Sequence, residues 1–284
     1  MSPPLDGIRV LDLTSYIAGS YAAMMLADMG AAVVKVESLR GDSFRELPGF
    51  HGWNRGKRSI AVDLKAADGR AIVERLVAGS DVVMENMRPG VADRLGLGET
   101  ALRDRNPRLV YCSVTAFGSS GPYRERPGFD PVLQALGGVM ELQGFNGPPQ
   151  YIRIPVTDYY AAALAAQAVL AALFVRERTG RGQKVETSLL HAVLALQSGY
   201  AVQYPGKPVL RVDNPTYRLY QASDGEWLFL ACGNQAFWTK LCGALGLEHL
   251  ADDPRFASWL LRMQNHAALS PLLEGSFAAR PRAH

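Results

Sequence analysis

The stretch IRVLDLTSYIAGSYAAMMLADMGAAVVKVE, residues 8–37, decides the fold. It opens with an apolar run rich in branched side chains, IRVLDLT, and ends with another, AVVKVE. Between them AGSYAAMMLADMG carries helix-forming residues and closes on a glycine. This strand, helix, strand order predicts two parallel strands, and parallel strands predict a sheet covered by helices.

The same alternation continues along the chain. Strands are predicted at 58–65, 81–86 and 108–118, and helices at 68–80, 91–96, Asp158 to Arg178 and Glu186 to about Tyr200. Such alternation predicts a doubly wound α/β fold, with a large Rossmann-like domain over residues 1–200.

The last third of the chain has a different composition. A proline-rich linker is predicted at 201–222, because this segment has no helical period. Residues 223–284 then predict a smaller α+β domain. It begins with a hairpin that turns at Ser223 to Gly225.

Composition excludes several classes of protein. The 284 residues are 48% hydrophobic and 20% charged, which is enough for a sizeable core. The net charge of +3 is spread along the chain, which argues against nucleic-acid binding, and its many arginines suit a small phosphorylated ligand. Three cysteines without metal or redox spacing, no secretory start and no uncharged apolar run of membrane-spanning length predict a cytoplasmic protein without a membrane partner.

Two familiar motifs are incomplete in this chain. Glu37 ends the second predicted strand, where a ribose-binding acid often lies, but the first turn has one glycine instead of the GxGxxG that dinucleotides need. FGSSGP at 117–122 lacks the GxSxG spacing of a nucleophile elbow. No histidine pair has metal-ligand spacing, so no metal site is predicted.

Three separated pieces carry the candidate chemistry. The first is a cationic loop that either pairs with phosphate or is simply solvated: Asn54, Arg55, Lys57 and Arg58. The second is the end of the strand at 81–86, where ligands of open α/β sheets bind. The third is Asp158, which is either the N-cap of the helix that follows or a reactive carboxylate.

Ordered motifs from Leu5 to about Phe256 resemble the class III CoA-transferases, the CaiB/BaiF family. They are LDGIRVLDLT with the following AG, KVE, NRGKRSIAVDLK, VVMENMRPGVADRLG, PGFDPVLQALGG, VTDYYAA and TGRGQKVETSLL. The resemblance implies the family III fold, an interlocked homodimer and an aspartate at position 158 that attacks an acyl-CoA carbonyl. It also implies CoA binding by Ser15, Tyr16, Ile17, Ala18, Arg40, Asn86, Met87 and Arg94.

The implied reaction moves CoA from an acyl-CoA donor to a carboxylic acid acceptor, through an aspartyl mixed anhydride and an aspartyl-CoA thioester. CoA is then a substrate, and no separate cofactor is expected. The positive end of the helix is expected to keep Asp158 ionised, and nearby backbone amides are candidates for the oxyanion site.

Two alternatives remain open at this stage. Racemases of the family need a histidine in an AGHD stretch and a glutamate in the small domain. Here PGFD places Phe129 at the histidine, and Asn234 stands at the glutamate, so proton transfer has no donor. Family members also run longer, so the C-terminal part is expected to be missing, and an inactive CoA-binding remnant is the other alternative.

Overall fold

The computed structural model describes residues 2–144, 147–201, 205–206 and 213–283. The chain divides into two compact units, Met1–Val202 and Gln203–His284. The N-terminal unit contains a six-stranded parallel sheet with the order β3-β2-β1-β4-β5-β6. Its strands are β1 (Arg9–Asp12), β2 (Ala32–Glu37), β3 (Arg58–Ala61), β4 (Val82–Glu85), β5 (Val110–Thr115) and β6 (Lys184–Ser188). The predicted Rossmann-like α/β fold is therefore confirmed.

The strand order creates one switch point. The chain builds β2 and β3 on one side of β1, and then returns to build β4, β5 and β6 on the other side. Leu11 of β1 consequently lies opposite Val34 of β2 and Val83 of β4. The loops that leave β1 and β4 diverge at the carboxyl edge, and ligands of open α/β sheets bind in the crevice between such loops.

Helices cover both faces of this sheet. They are α1 (Ala18–Asp28), α2 (Pro48–Trp53), α3 (Ala67–Ala78), α4 (Val91–Arg94), α5 (Glu99–Arg105), α6 (Asp130–Leu136), α7 (Val139–Gly144), α8 (Val156–Thr179), α9 (Leu189–Leu196) and α10 (Ser198–Ala201). Successive strand residues point to opposite faces, so Val10 packs with α1 and α8 while Leu11 packs with Val73 and Val77 of α3. Both faces are apolar because both are buried.

Helix α8 is a core element. Its small side chains Ala161, Ala165 and Ala166 are buried in the same apolar cluster as Ala22 and Ala23 of α1, and small residues let two helices approach closely. By length and composition alone α8 is apolar enough to cross a membrane. The expectation concerned an uncharged run, and α8 carries Asp158 near its start and charged residues in its last turn, so this helix does not contradict it.

The helix predicted from Glu186 was also wrong in its first residues. Residues 184–188 form β6, whose Thr187 lies opposite Val114 of β5. Alternating β-branched residues, Val185 and Thr187, favour this edge strand, and the helix begins only at Leu189.

The described residues of the C-terminal unit form an antiparallel hairpin, three α-helices and two short 3-10 helices. They are β7 (Tyr217–Gln221), β8 (Trp227–Ala231), α11 (Gln235–Leu245), α12 (Trp259–Gln264) and α13 (His266–Ala278), with the 3-10 helices at Glu248–Leu250 and Pro254–Phe256. The hairpin turn at Ser223 to Gly225 is present as predicted, and Gly225 has a φ of 78°. Trp238 and Phe256 are buried in the core of this unit. The predicted linker extended too far, because its residues 217–221 pair as β7; its residues 202–204 and 207–212 lie outside the described residues.

Candidate active site

A clasp between two loops lies at the switch point. The Asn86 side chain, just after β4, accepts the backbone N–H of Ser15 at 2.9 Å through Oδ1. Its Nδ2 donates to the backbone oxygen of Ser15 at 2.7 Å. The loop after β1 is thereby fixed to the end of β4, so two of the predicted site residues are brought into direct contact.

The residue after Ser15 has a strained backbone. Among the described residues Tyr16 is the only non-glycine with positive φ, at 60°, a conformation that costs roughly 1–3 kcal/mol. Its ring makes edge contacts with Phe44 and Phe129, with centroids 5.1 and 5.8 Å away. Gly19 lets the chain turn directly into α1, because a Cβ there would lie 2.5 Å from the Thr14 side chain.

A buried charged group lies beneath this turn; we call Asp12, Lys35 and Lys57 the Asp12 cluster. Lys57 Nζ contacts Asp12 Oδ2 at 2.7 Å, and Lys35 Nζ donates to the backbone oxygen of Thr14 at 2.7 Å. The other oxygen of Asp12 accepts the N–H and the hydroxyl of Thr14. Burial alone raises the pKa of Asp12, but Lys57 and Lys35 outweigh it and hold that pKa below its ordinary value.

The predicted cationic loop therefore does not serve as a cluster of free phosphate ligands. Lys57 is almost completely buried against Asp12, and it also donates to Asn54 Oδ1 at 2.9 Å. Arg55 pairs with Asp28 on the surface. The sequence placed these cations in one loop, but tertiary contacts give Lys57 a buried partner and Arg55 a partner on the surface.

Asp158 lies in the first turn of α8. The N-cap position is Pro155, so the N-cap interpretation of Asp158 was wrong. A different carboxylate takes the capping role, because Asp130 Oδ2 accepts the N–H of Thr157 at 2.8 Å and that of Asp158 at 3.3 Å. Asp130 stands at the start of α6 and is buried. The nucleophile candidate is thus positioned by an acid from another helix.

Asp130 is itself anchored to the segment before α8. Gln134, one turn later in α6, donates from Nε2 to Asp130 Oδ1 at 2.5 Å and to the backbone oxygen of Ile152 at 3.0 Å. The N–H of Ile152 returns a hydrogen bond to Gln134 Oε1 at 3.2 Å. Both oxygens of Asp130 and both ends of the Gln134 amide are used. Helix α6 therefore fixes the chain on both sides of residues 153–156.

The environment of Asp158 favours its protonated form relative to a free aspartate. Burial, and secondarily the negative charge of Asp130, raise the pKa of Asp158 to about 7. Among the described residues no cationic side chain forms an ion pair with it. A pKa of about 7 populates both forms of Asp158 near neutral pH, whereas the sequence led us to expect the ionised form alone. A carboxylate with little solvation and no counterion is a stronger nucleophile than one in water.

The backbone amides of the α8 first turn are already occupied. The carbonyl oxygens of residues 154 and 155 accept the first and last of the four N–H groups, at 2.7 and 3.0 Å. Asp130 accepts the two between them. These amides are consequently not free to stabilise an oxyanion, contrary to the suggestion made from the sequence.

A cavity of about 540 Å³ opens beside Asp158 in the N-terminal unit. Six of the predicted site residues line it: Tyr16, Ile17, Ala18, Asn86, Met87 and Asp158. Residues far apart in sequence are brought together here by the carboxyl ends of β1 and β4 and by the start of α8. The cavity has aromatic walls as well, from Tyr16, Phe44, Trp53 and Phe129.

Three predicted site residues do not line this cavity. Ser15 acts through its backbone, which forms the clasp with Asn86. Arg40 and Arg94 are exposed and lie outside the cavity wall. Their assignment to CoA binding stays a prediction.

Sequence reasoning missed several residues that the cavity contains. Asp130 stood in the quoted PGFD stretch, where only Phe129 was weighed, and its spacing of four residues from Gln134 was a usable signal of one helix face. Arg124, Arg126 and Arg153 line the cavity and were not singled out, and Arg88, which closely follows the strand predicted at 81–86, lines it too. Isolated arginines in loops carry no periodic signal, so only the fold reveals that they converge.

Comparison with known proteins now identifies the family. The CoA-transferase family III profile matches residues 5–284 of the chain. The chain belongs to CoA-transferase family III. The motif resemblance, read from Leu5 to about Phe256, is confirmed and extends further along the chain.

Curated relatives of this family III CoA-transferase are themselves named CoA-transferases. It is 38% identical to the succinyl-CoA–D-citramalate CoA-transferase of Chloroflexus aurantiacus, an alignment covering 95% of this chain and 72% of that protein. It is also 38% identical to the succinate–glutarate CoA-transferase of Agrobacterium fabrum, over 90% of this chain and 70% of that protein. These similarities support an enzyme of family III.

Solved structures agree with the fold of the family III CoA-transferase. A CaiB/BaiF family protein from Brucella suis has a TM-score of 0.87 and 39% identity, over 100% of this chain and 80% of that one. A hypothetical protein from Mycobacterium tuberculosis has a TM-score of 0.89 and 35% identity, over 99% and 79% of the two chains. The family III fold is confirmed.

Proposed function

We propose that this enzyme transfers CoA between an acyl-CoA donor and a carboxylic acid acceptor, with the Asp158 carboxylate as the nucleophile. The observation that carries the proposal is the position of Asp158, half-buried, without an ion-pair partner among the described residues, and on the wall of the cavity that Asn86 and Tyr16 also line. Related enzymes whose names specify succinyl-CoA, glutarate or oxalate as substrates support transfer between carboxylic acids.

The first half-reaction releases the donor acid. One oxygen of Asp158 attacks the thioester carbonyl, the carbon–sulfur bond breaks, and CoA leaves as a thiolate while a mixed anhydride forms. The thiolate then attacks the carbonyl carbon of Asp158, which releases the donor acid as its carboxylate and leaves an aspartyl-CoA thioester. Covalent catalysis of this kind divides one hard exchange into easier steps.

The second half-reaction runs the same steps in reverse with another acid. The acceptor carboxylate attacks the aspartyl thioester and expels the CoA thiolate, which forms a second mixed anhydride. The thiolate then attacks the acyl carbonyl of the acceptor, so acyl-CoA forms and the Asp158 carboxylate is regenerated. No net proton is taken up, because one carboxylate enters and one leaves.

The surroundings of Asp158 suit a group that is alternately an anion and an acyl carrier. A pKa of about 7 means that the ionised form is accessible near neutrality without the strong stabilisation that an ion pair gives. Asp130 holds the backbone of Asp158 rather than its carboxylate. The side chain therefore remains available for attack while its Cα stays in place.

Two positions argue against the racemase alternative. Phe129 lines the cavity at the place of the racemase histidine, and it has no group that can carry a proton. Asn234 caps α11 by accepting the N–H of Phe237 at 2.9 Å. A side chain that caps a helix in this way serves the C-terminal unit, and an amide is not an acid or base in this pH range.

Heavy-oxygen transfer tests the mechanism directly. The enzyme turns over unlabelled acyl-CoA with an acceptor acid that carries heavy oxygen at both carboxylate positions. The mass of the peptide that contains Asp158 is then measured by mass spectrometry. The two-anhydride route leaves one labelled oxygen on Asp158 after one turnover. Direct attack of the acceptor on the donor thioester leaves none, and that result would contradict the proposal.

The Asp158→Ala and Asp158→Asn variants complete this test. Loss of the nucleophile lowers turnover by about a thousandfold or more, while CoA affinity changes little because the clasp at Asn86 is untouched. Turnover within tenfold of wild type in either variant refutes the role of Asp158.

We also propose a homodimer. Large apolar side chains are exposed in the N-terminal unit at Phe174, Leu194, Leu196 and Tyr200, and exposed apolar patches mark interaction sites. Light scattering after gel filtration measures the mass of the particle in solution. A single monomeric species at micromolar concentration contradicts this part of the proposal.

A further inference from the structure

The four arginines that line the cavity beside Asp158 differ in whether their side chains have interaction partners. Arg124 pairs with Glu125, and the guanidinium of Arg126 lies over the Tyr123 ring at 4.2 Å. Among the described residues, neither Arg88 nor Arg153 has a hydrogen-bond or ion-pair partner for its side chain. Two free guanidinium groups therefore line the cavity, and each can bind an anion with two parallel hydrogen bonds.

The two free guanidinium groups belong to different parts of the site. Arg88 follows Asn86 and Met87 at the end of β4, next to the clasp. Arg153 lies in the segment that leads into α8, five positions before Asp158. Arg153 and Asp158 line the same cavity, so an anion bound by Arg153 shares that cavity with the nucleophile candidate.

The backbone that carries Arg153 is fixed. The preceding residue, Ile152, is bound through both its N–H and its C=O to the amide of Gln134. The same amide contacts Asp130, which accepts the N–H of Asp158. One set of hydrogen bonds thus sets the positions of Arg153 and the nucleophile relative to each other.

A tight turn brings Arg153 and Asp158 to one cavity. Pro155 has φ −72° and ψ 69°, the geometry of an inverse γ-turn. The N–H of Val156 closes this turn by donating to the oxygen of Ile154 at 2.7 Å. The chain therefore bends between Arg153 and Asp158, and both residues line the same cavity.

We propose that Arg153 forms a subsite for a second carboxylate at the far end of the acyl group, so that the acids exchanged are dicarboxylic. This inference rests on the proposed transferase function and names its substrate class. The aromatic walls at Tyr16, Phe44 and Phe129 suit the apolar middle of such an acyl chain. The guanidinium then binds the distal carboxylate as a bidentate pair.

Binding in the absence of turnover tests this subsite. The Asp158→Asn variant is titrated by calorimetry with glutaryl-CoA, valeryl-CoA and free CoA; the two thioesters have equal numbers of carbons and differ in the distal carboxylate. We expect glutaryl-CoA to bind about tenfold or more tightly than valeryl-CoA. Arg153→Gln in the same background removes that preference and leaves the affinity for free CoA unchanged, whereas Arg153→Lys keeps part of it.

Arg181→Gln is the matched control. Arg181 is exposed just beyond the opposite end of α8 and does not line the cavity, so its loss changes net charge equally and retains the preference. Equal affinities for the two thioesters in the Asp158→Asn parent, or a preference that survives Arg153→Gln, overturn the inference. If Arg153→Gln weakens the binding of all three ligands equally, Arg153 binds CoA phosphates and the inference is overturned. Loss of the preference in Arg181→Gln also overturns it.

The transferase function is judged separately from this subsite. Absence of CoA transfer by the wild-type enzyme contradicts the proposed function, but the binding comparison still has a definite result. A preference that depends on Arg153 then supports the subsite in a protein that only binds acyl-CoA.

Discussion

Two aspartates of the N-terminal unit show opposite uses of the same side chain. Asp12 is fully buried at the end of β1, with Lys57 at 2.7 Å and Lys35 close by. Asp158 is half-buried in the first turn of α8, and its carboxylate has an acidic neighbour, Asp130. The pKa of Asp12 is lowered, whereas that of Asp158 is raised to about 7.

The difference teaches that burial alone does not mark a functional acid. Burial raises the pKa at both positions, and the neighbouring charges decide the outcome. Lysines convert Asp12 into a structural anion that supports the turn at Thr14. Asp158 is held through its backbone, so its carboxylate is left for chemistry.

The largest effect on stability is expected from Asp12→Asn. This change leaves Lys57 buried without its counterion, and breaking a buried pair in this way costs about 3–5 kcal/mol in the free energy of unfolding. The matched control is Asp28→Asn, which breaks the exposed pair with Arg55 and costs at most about 1 kcal/mol. Urea denaturation at neutral pH measures both, and equal losses contradict the assigned difference.

The next effect is on the pH dependence of turnover. Only ionised Asp158 attacks the thioester, so kcat/KM for acyl-CoA rises about tenfold per pH unit up to the pKa of about 7 and then levels off. Initial rates between about pH 5 and 9 measure this profile, provided that the protein stays folded throughout. A profile that is already flat above about pH 5 means that Asp158 has an ordinary pKa.

A smaller effect is expected from Asp158→Asn on stability. The folded pKa of about 7 exceeds the ordinary 3.8, so the folded state holds the extra proton and wild-type stability falls as pH rises between these values. Asparagine removes this loss, so we expect the variant to be about 1–3 kcal/mol more stable than wild type near pH 8. This range is smaller than the full pKa difference implies, because the side chain is partly solvated. The gain disappears near pH 4, opposite to Asp12, whose contribution is lost in acid. Thermal unfolding at both pH values decides this, and destabilisation near pH 8 contradicts it.

The smallest effect is expected from Asp130→Asn. Removing this charge lowers the pKa of Asp158, so the rising part of the pH–rate profile moves to lower pH by less than about one unit. Since the change also disturbs the hydrogen bond to Gln134, the melting temperature is measured alongside. Movement to higher pH, in a protein that remains folded, is inconsistent with the charge effect of Asp130.

Much of the fold followed from local sequence patterns. The strand, helix, strand order at 8–37 led directly to β1, α1 and β2, and the alternation along the chain led to the parallel sheet. Asp158 was singled out because a lone acid stands at the start of a long apolar helix. Such features depend on residues within a few positions of each other.

The environment of the site did not follow from local patterns. Asp12 and Lys57 are 45 positions apart, and Asp130 caps an amide 27 positions further along the chain. The local sequence of a cation-rich loop is the same whether its side chains contact solvent or buried groups. The same holds for an acid near the start of a helix. Only tertiary contacts show that Lys57 is structural and that Asp158 is not the N-cap of α8.

The hydrogen bonds between Gln134 and Ile152 fix the backbone next to Arg153 without using the Arg153 side chain. The backbone is fixed at Ile152 and again at the capped start of α8, while Arg153 and Ile154 between them are exposed. On the proposed subsite, the side chain of Arg153 can therefore be replaced without disturbing the clasp between Asn86 and Ser15. On this proposal, acyl preference and the position of the nucleophile are separate properties of the chain, one set by a side chain and the other by backbone hydrogen bonds.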